Sequence, residues 1–264
     1  MTESHGSATP RPRALILGGT AEASLLASLV AEDGRIDAVL SYAGRVERPR
    51  AQPVATRVGG FGGVEGLARW LRAERIAALL DATHPFAAAM SANAVAACAA
   101  AGVPLAALER APWVAQAGDR WTDVPDLAAA AALLAARPRA TVFLAVGRLH
   151  LPLFAVAPQH RYVLRLVDPP EGPLPLPDAE ALIARGPFDR AGDRALMTAR
   201  GVTLVVAKNA GGSASRAKID AARDLGVEVV LVARPAIPAR AVVRTPEAAL
   251  DWLRHAVGSM PRGV

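Results

Sequence analysis

The residues best suited to chemistry in this chain sit in short glycine-bearing or charged runs, each directly after a β-like stretch. Gly18-Gly19-Thr20-Ala21-Glu22 follows the apolar run from Arg13 to Leu17 and opens a helical pattern. Glycines at such a junction let backbone N–H groups approach a pyrophosphate, and the helix N-terminus adds favourable partial charge. Gly18, Gly19, Thr20 and Glu22 are therefore candidate cofactor contacts. The plain alternative is a tight turn without a ligand, because the run is not a full G-x-G-x-x-G. The second β-like stretch ends in Ser41, with Gly44, Arg45, Arg48 and Arg50 beyond it. A sheet built for NAD usually ends this strand in Asp or Glu, whereas a hydroxyl and a guanidinium suit a 2′-phosphate. With the glycine loop before it, this position favours NADPH or NADP+, against the reading of one more exposed Arg in an Arg-rich chain.

Gly59-Gly60-Phe61-Gly62-Gly63 is costly in chain entropy unless backbone must come close to something. Gly60, Phe61 and Gly62 are expected to form a lid or a phosphate contact, the alternative being a plain turn. Asp81-Ala82-Thr83-His84-Pro85-Phe86 sets an acid, a hydroxyl and an imidazole at one strand end. Thr83 and His84 are further cofactor candidates, and His84 could donate a proton or orient a ring. Equally, Thr83 or His84 could cap a helix whose first residue is Pro85. Lys208-Asn209-Ala210-Gly211-Gly212 mirrors the first glycine loop, and a Lys ending a buried strand is expensive unless it meets an anion. Lys208, Asn209, Gly211, Gly212 and Arg148 are candidate substrate contacts, while Arg165 and Asp168 are further candidates for which an internal ion pair is the plainer reading. His5, His150, His160 and His255 show no metal-ligand spacing, and a single cysteine, Cys98, excludes internal disulfides and thiolate zinc sites.

The elements that must position these residues alternate between β-like and helical runs. In the first half, strands are expected over 13–17, 36–41, 76–80 and 104–108, with helices over 21–32, 64–73 and 86–101. In the second, strands are expected over 140–146, 161–167, 202–207 and 227–232, with helices over 126–136, 189–200, 213–225 and 246–257. Such alternation implies an α/β fold: two Rossmann-like domains with parallel sheets flanked by helices and a ligand cleft between them. A length of 264 residues fits two domains. The expected division is a flexible tail over 1–12, an NADP-binding domain over 13–110 and a substrate domain over 111–258. The 60 Ala residues against five Phe and two Tyr suggest helices lying close to sheets. A hydrophobic fraction of 52% excludes a disordered chain, and a net charge of +6 favours acidic ligands. No dense Lys/Arg run points to nucleic acid. The uncharged stretch from Pro85 to Leu108 is broken by Gly102-Val103-Pro104, which argues against a membrane span, and no signal peptide is evident. A cytoplasmic protein, monomeric or weakly dimeric, is expected.

Taken as a set, Ile16 to Thr20 with Glu22, Ser41 to Arg45, Arg57 to Gly63, Asp81 to Phe86, Arg165 to Pro170, Arg185 to Phe188 and Lys208 to Gly212 resemble the precorrin-6A reductases. The resemblance runs from about Leu15 to Trp252, with the motifs in family order; Ala210 stands where Ser is common in the family. It implies hydride transfer from NADPH to one double bond of precorrin-6A, giving precorrin-6B, in cobalamin biosynthesis. The implied partner is a tetrapyrrole polycarboxylate, metal-free or as cobalt-precorrin-6A. A short-chain dehydrogenase would need Tyr-x-x-x-Lys, but Tyr42 and Tyr162 are followed four residues on by Val46 and Leu166. A Rossmann methyltransferase would prefer an acid at Ser41. From another class, an NADP-binding redox sensor without turnover would share the first glycine loop.

Overall fold

The structure, a computed structural model, describes residues 10–43, 51–213 and 215–258. Most of the expected tail, and Gly44, Arg45, Arg48 and Arg50, lie outside them. In chain order the elements are β1 (Arg13–Leu17), α1 (Ala21–Asp33), β2 (Asp37–Tyr42), β3 (Ala55–Val58), α2 (Gly63–Ala73), β4 (Ile76–Asp81), α3 (Ala88–Ala101), β5 (Leu105–Leu108) and β6 (Trp121–Val124). There follow α4 (Leu127–Ala135), β7 (Thr141–Ala145), a 3-10 segment (Arg148–Val156), β8 (Arg161–Leu166), β9 (Ala179–Ile183) and α5 (Arg190–Ala199). The chain ends with β10 (Leu204–Lys208), α6 (Ala217–Asp224), β11 (Glu228–Val232), β12 (Ala241–Val243) and α7 (Pro246–Gly258).

These elements build two six-stranded sheets, β3-β2-β1-β4-β5-β12 and β9-β8-β7-β10-β11-β6. Every neighbouring pair is parallel. Both sheets thus follow the doubly wound plan, the strand order reversing between β1 and β4 in one and between β7 and β10 in the other. Each sheet also takes its last strand from the segment that follows the other sheet's fifth strand. After β5 the chain supplies β6 to the second sheet, and after β11 it supplies β12 to the first.

This exchange corrects the expected domain limits. The first unit is Met1–Glu109 with Ile237–Val264, and the second is Arg110–Ala236. The reason is burial: Ala249, Leu250 and Leu253 of α7 join Leu26 and Val30 of α1 over Ala14, Ile16, Ala78 and Leu80. Alternate residues of the same strands, Leu15, Leu17 and Leu79, face Leu67 and Leu71 of α2 and Ala94 and Ala97 of α3. Alternation of side chains along each strand therefore gives the sheet two dry faces. In the second unit Val205, Ala207, Val229 and Leu231 pack against Met197 of α5 and Ile219 and Ala222 of α6.

The strands that sequence patterning does not reveal are β3, β6, β9 and β12. All lie at sheet edges, where polar or exposed residues are tolerated and the apolar signal is weak. Helix α3 starts at Ala88 rather than Phe86, because Pro85 and Phe86 form a turn closed by the Ala87 N–H donating to the His84 carbonyl at 2.7 Å. No helix among the described residues is long and apolar enough to cross a membrane.

Two outcomes follow from the docking of α7. Leu253→Ala should destabilise the first unit by about 2–5 kcal/mol, read by chemical denaturation. Arg254 of α7 bonds Asp33 of α1, and Arg35 foremost, then Arg254, hold that carboxyl at about 2, below its ordinary 3.8. A depressed carboxylate stabilises the fold above its unfolded pKa and loses that effect as pH falls through the folded value. The stability gap between wild type and Arg254→Ala should therefore be full above pH about 4 and close towards pH about 2 in urea titrations.

Candidate functional site

In the first sheet the order reverses between β1 and β4, so the loops following these strands flank a crevice at their carboxyl ends. Gly18 approaches β2 closely: its N–H donates to the Ser41 carbonyl at 2.9 Å, and a Cβ there would lie 2.7 Å from Leu40 Cδ1. Gly19 has φ +113, a conformation that a side chain would strain. Thr20 caps α1 by accepting from the Ala23 N–H at 3.1 Å, and its hydroxyl donates to the Ala82 carbonyl at 2.8 Å. That one hydroxyl couples the loop after β1 to the loop after β4. Glu22 lies in the first turn of α1.

Ser41 does not serve as an open ligand group. It is 5% exposed, and its hydroxyl accepts from Arg57 at 3.0 Å across the β2–β3 pairing, where the two residues stand in register. The Arg57 guanidinium also donates to the carbonyls of Gly59, at 2.9 Å, and Gly60, at 3.1 Å. It lies 3.8 Å above the Phe61 ring, which meets Trp70 edge-on at 5.4 Å. Burial pushes the Arg57 pKa down from its ordinary value. Among the described residues no carboxylate forms an ion pair with Arg57, so a cation held only by neutral acceptors stands at the carboxyl end of β2. The glycine loop is thus folded onto Arg57 rather than hanging as a lid, with Gly62 as the N-terminal cap of α2. Sequence reasoning singled out Gly60, Phe61 and Gly62 and passed over Arg57. The available signal was an Arg placed just before carbonyl-rich glycines and an aromatic ring.

At the end of β4, Asp81 is buried and its Oδ1 accepts both the Thr83 N–H, at 3.1 Å, and the Thr83 hydroxyl, at 2.7 Å. The hydroxyl proton is therefore committed, and the Thr83 oxygen retains acceptor capacity. His84 Nδ1 accepts the Phe86 N–H at 3.2 Å, which puts the proton of the neutral ring on Nε2. Arg240, buried and paired with Glu109, reaches within 4.0 Å of the Asp81 Oδ2. It arrives on the segment leading into β12, so its nearness to Asp81 was invisible in sequence.

The second glycine-bearing loop makes contacts that its sequence did not announce. Asn209 Oδ1 accepts the Trp113 N–H at 2.8 Å, and its Nδ2 donates to the Trp113 carbonyl at 3.0 Å. The Gly212 carbonyl accepts the Trp113 indole N–H at 2.7 Å. A Cβ on Gly211, at φ +69, would lie 2.1 Å from the Ala111 oxygen. Asn209 and Gly212 therefore clamp the segment between β5 and β6, and Gly211 packs closely against it. Lys208 and Arg148 remain at the carboxyl ends of β10 and just after β7, the strands flanking the reversal in the second sheet; Arg148 is half-exposed, 3.6 Å from Glu171. Arg165 pairs with buried Asp193, the internal ion pair expected of it, whereas Asp168 lies 3.7 Å from Arg185 in a solvent-exposed pair. Among the described residues no group of His, Cys, Asp or Glu could hold a metal ion.

The profile of the precorrin-6x reductase CbiJ/CobK family matches residues 13–254. This chain belongs to that family. The precorrin-6A reductase of Rhodobacter capsulatus is 61% identical over 252 residues, 96% of this chain and 99% of the relative. That of Rhodococcus erythropolis is 42% identical over 251 residues, 95% of this chain and 99% of the relative. The cobalt-precorrin-6A reductase of Priestia megaterium is 31% identical over 246 residues, 88% of this chain and 94% of the relative. A solved CobK precorrin-6A reductase superposes with a TM-score of 0.89 at 60% identity, covering 96% of this chain and 100% of its own. The chain is thus a reductase with the two-sheet α/β fold that its motifs implied, and the sensor without turnover gives way to an enzyme.

In this reductase Gly211 packs closely against Ala111. Gly211→Ala should destabilise the second unit by about 2 kcal/mol or more, because both the left-handed backbone and the Ala111 contact resist a side chain. Thermal melting checks this.

Proposed function

We propose that this reductase, a cytoplasmic monomer or weak homodimer, uses NADPH to reduce one double bond of precorrin-6A, giving precorrin-6B in cobalamin biosynthesis. The observation that carries the cofactor choice is Arg57, a cation with neutral partners where dinucleotide-binding sheets recognise the ribose 2′ position. A phosphorylated dinucleotide suits this setting. Gly18 and Gly19 leave backbone close at hand, Thr20 opens α1 towards a pyrophosphate, and Arg57 offers unused donors to a 2′-phosphate. Ser41 acts on the phosphate through Arg57, Gly60 and Phe61 hold that guanidinium from below, and Gly62 sets the start of α2. Gly44 and Arg45, outside the described residues, follow β2 and belong to the same proposal, as does Glu22 beside the pyrophosphate loop.

When bound, reduced nicotinamide supplies the hydride. The chain's own residues must then orient that ring and furnish a proton for the carbon next to the one reduced. Thr83, its proton tied to Asp81, can accept from the nicotinamide amide. His84, protonated on Nε2, can orient the ring or donate the proton, with water as the other donor. Lys208 and Arg148 offer positive charge to the carboxylates of the tetrapyrrole. Identity to the metal-free precorrin-6A reductases of 61% and 42%, against 31% to the cobalt enzyme, favours the metal-free macrocycle.

Anaerobic mixing with NADPH and each macrocycle form, followed by absorbance, tests the reaction: steady NADPH oxidation with precorrin-6A is the expected result. Arg57→Leu should raise KM for NADPH at least about tenfold while changing KM for NADH less than about threefold, the loss of one charge-assisted phosphate contact. Equal effects on the two dinucleotides would refute the 2′-phosphate assignment.

A further inference from the structure

The second sheet reverses between β7 and β10, so ligands are expected at the carboxyl ends of those strands. A cavity of about 290 Å³ opens there within the second unit, walled by Ala145 and Gly147 at the end of β7, Arg165 of β8, Phe188, Asp193 of α5 and Lys218 of α6. Its charges do not balance. Asp193 is already taken by Arg165, whose guanidinium lies 3.9 Å from the Phe188 ring and 5.1 Å from that of Phe143. The Lys218 ammonium donates to the Ser215 carbonyl at 2.6 Å and stands 5.4 Å from the Trp113 ring, and among the described residues no carboxylate forms an ion pair with it. Two cations and one carboxylate therefore share a partly enclosed space with aromatic walls. An unmatched charge in such a place is costly unless an anion completes it. The Ser215 hydroxyl, enclosed and without a hydrogen-bond partner among the described residues, lines the same cavity.

We propose that this cavity is a carboxylate subsite, in which Lys218 and Arg165 hold one carboxylate arm of the tetrapyrrole substrate. The volume suits a short carboxylate side chain and is below that of pockets enclosing drug-sized ligands, far short of a tetrapyrrole ring. The source of the carboxylate rests on the function proposed above; the excess cation does not. Burial pushes the Lys218 pKa down to about 8; Asp193 acts upward, and Arg165 and Arg110 act further downward. The groups facing Lys218 from α5, β8 and the segment after β5 are thus Asp193, Arg165 and Arg110, and none of these residue types titrates near pH 8. The protonated ammonium attracts the carboxylate, so affinity should fall as pH rises through about 8.

The test is absorbance titration of the full-length protein with precorrin-6A in the absence of NADPH, using wild type, Lys218→Met and Lys218→Arg, with NADPH binding measured in parallel. Lys218→Met should weaken tetrapyrrole binding at least about tenfold at pH 7 while moving NADPH affinity less than about twofold. Lys218→Arg should stay within about threefold of wild type, and should keep its affinity from pH 7 to 9 where wild type loses it, because Arg remains charged. Wild-type binding with Lys218→Met unchanged would overturn the subsite alone. Equal losses in both variants, or loss of NADPH affinity alongside, would overturn it too, as the signature of a structural role. A wild-type protein that binds NADPH but no tetrapyrrole would overturn the substrate assignment and the subsite with it.

Discussion

Parallel pairing is the constraint on which this molecule depends. When every strand of a sheet runs the same way, every carboxyl end emerges at one edge, and every crossover must return over a face. In the first sheet that places the loop after β1, the end of β2 and the loop after β4 beside one another. A single hydroxyl, that of Thr20, then bonds across from one loop to the next. The glycines, the guanidinium and the imidazole emerge along one edge because the backbone ladder leaves them no other.

The exchange of edge strands has an energetic side. Without β12 the first sheet would end at β5, and without β6 the second would end at β11, each presenting unpaired backbone groups. Helix α7 follows β12 and closes one apolar face with Leu250 and Leu253. Each fold unit is therefore completed by chain that has first passed through the other unit. A cut between β11 and β12 would remove part of the first core.

Charge in these units is matched selectively. Most guanidinium groups named here find a carboxylate: Arg165 with Asp193, Arg240 with Glu109, Arg254 with Asp33. Arg57 and Lys218 stand apart, held by carbonyls, a hydroxyl or aromatic rings. Neutral partners fix the position of a cation without neutralising it, which preserves its attraction for an incoming anion. Two such cations at the carboxyl edges of their sheets suit the phosphorylated dinucleotide and polycarboxylate substrate proposed above.

Local sequence determined the alternation of strands and helices, the Thr20 cap and the glycine turn after β1, since each depends on neighbours within a few residues. It also held the family motifs, and with them the reductase identity. It could not reveal the edge strands β3, β6, β9 and β12, whose apolar pattern is weak because they are buried less. Nor could it reveal that Asn209 and Gly212 clamp Trp113. The partners of Ser41, Asp81 and Lys218 were likewise decided only in three dimensions. A side chain's availability depends on what lies opposite it across a ladder or a helix packing, and those neighbours are set by the fold, not by adjacency in the chain.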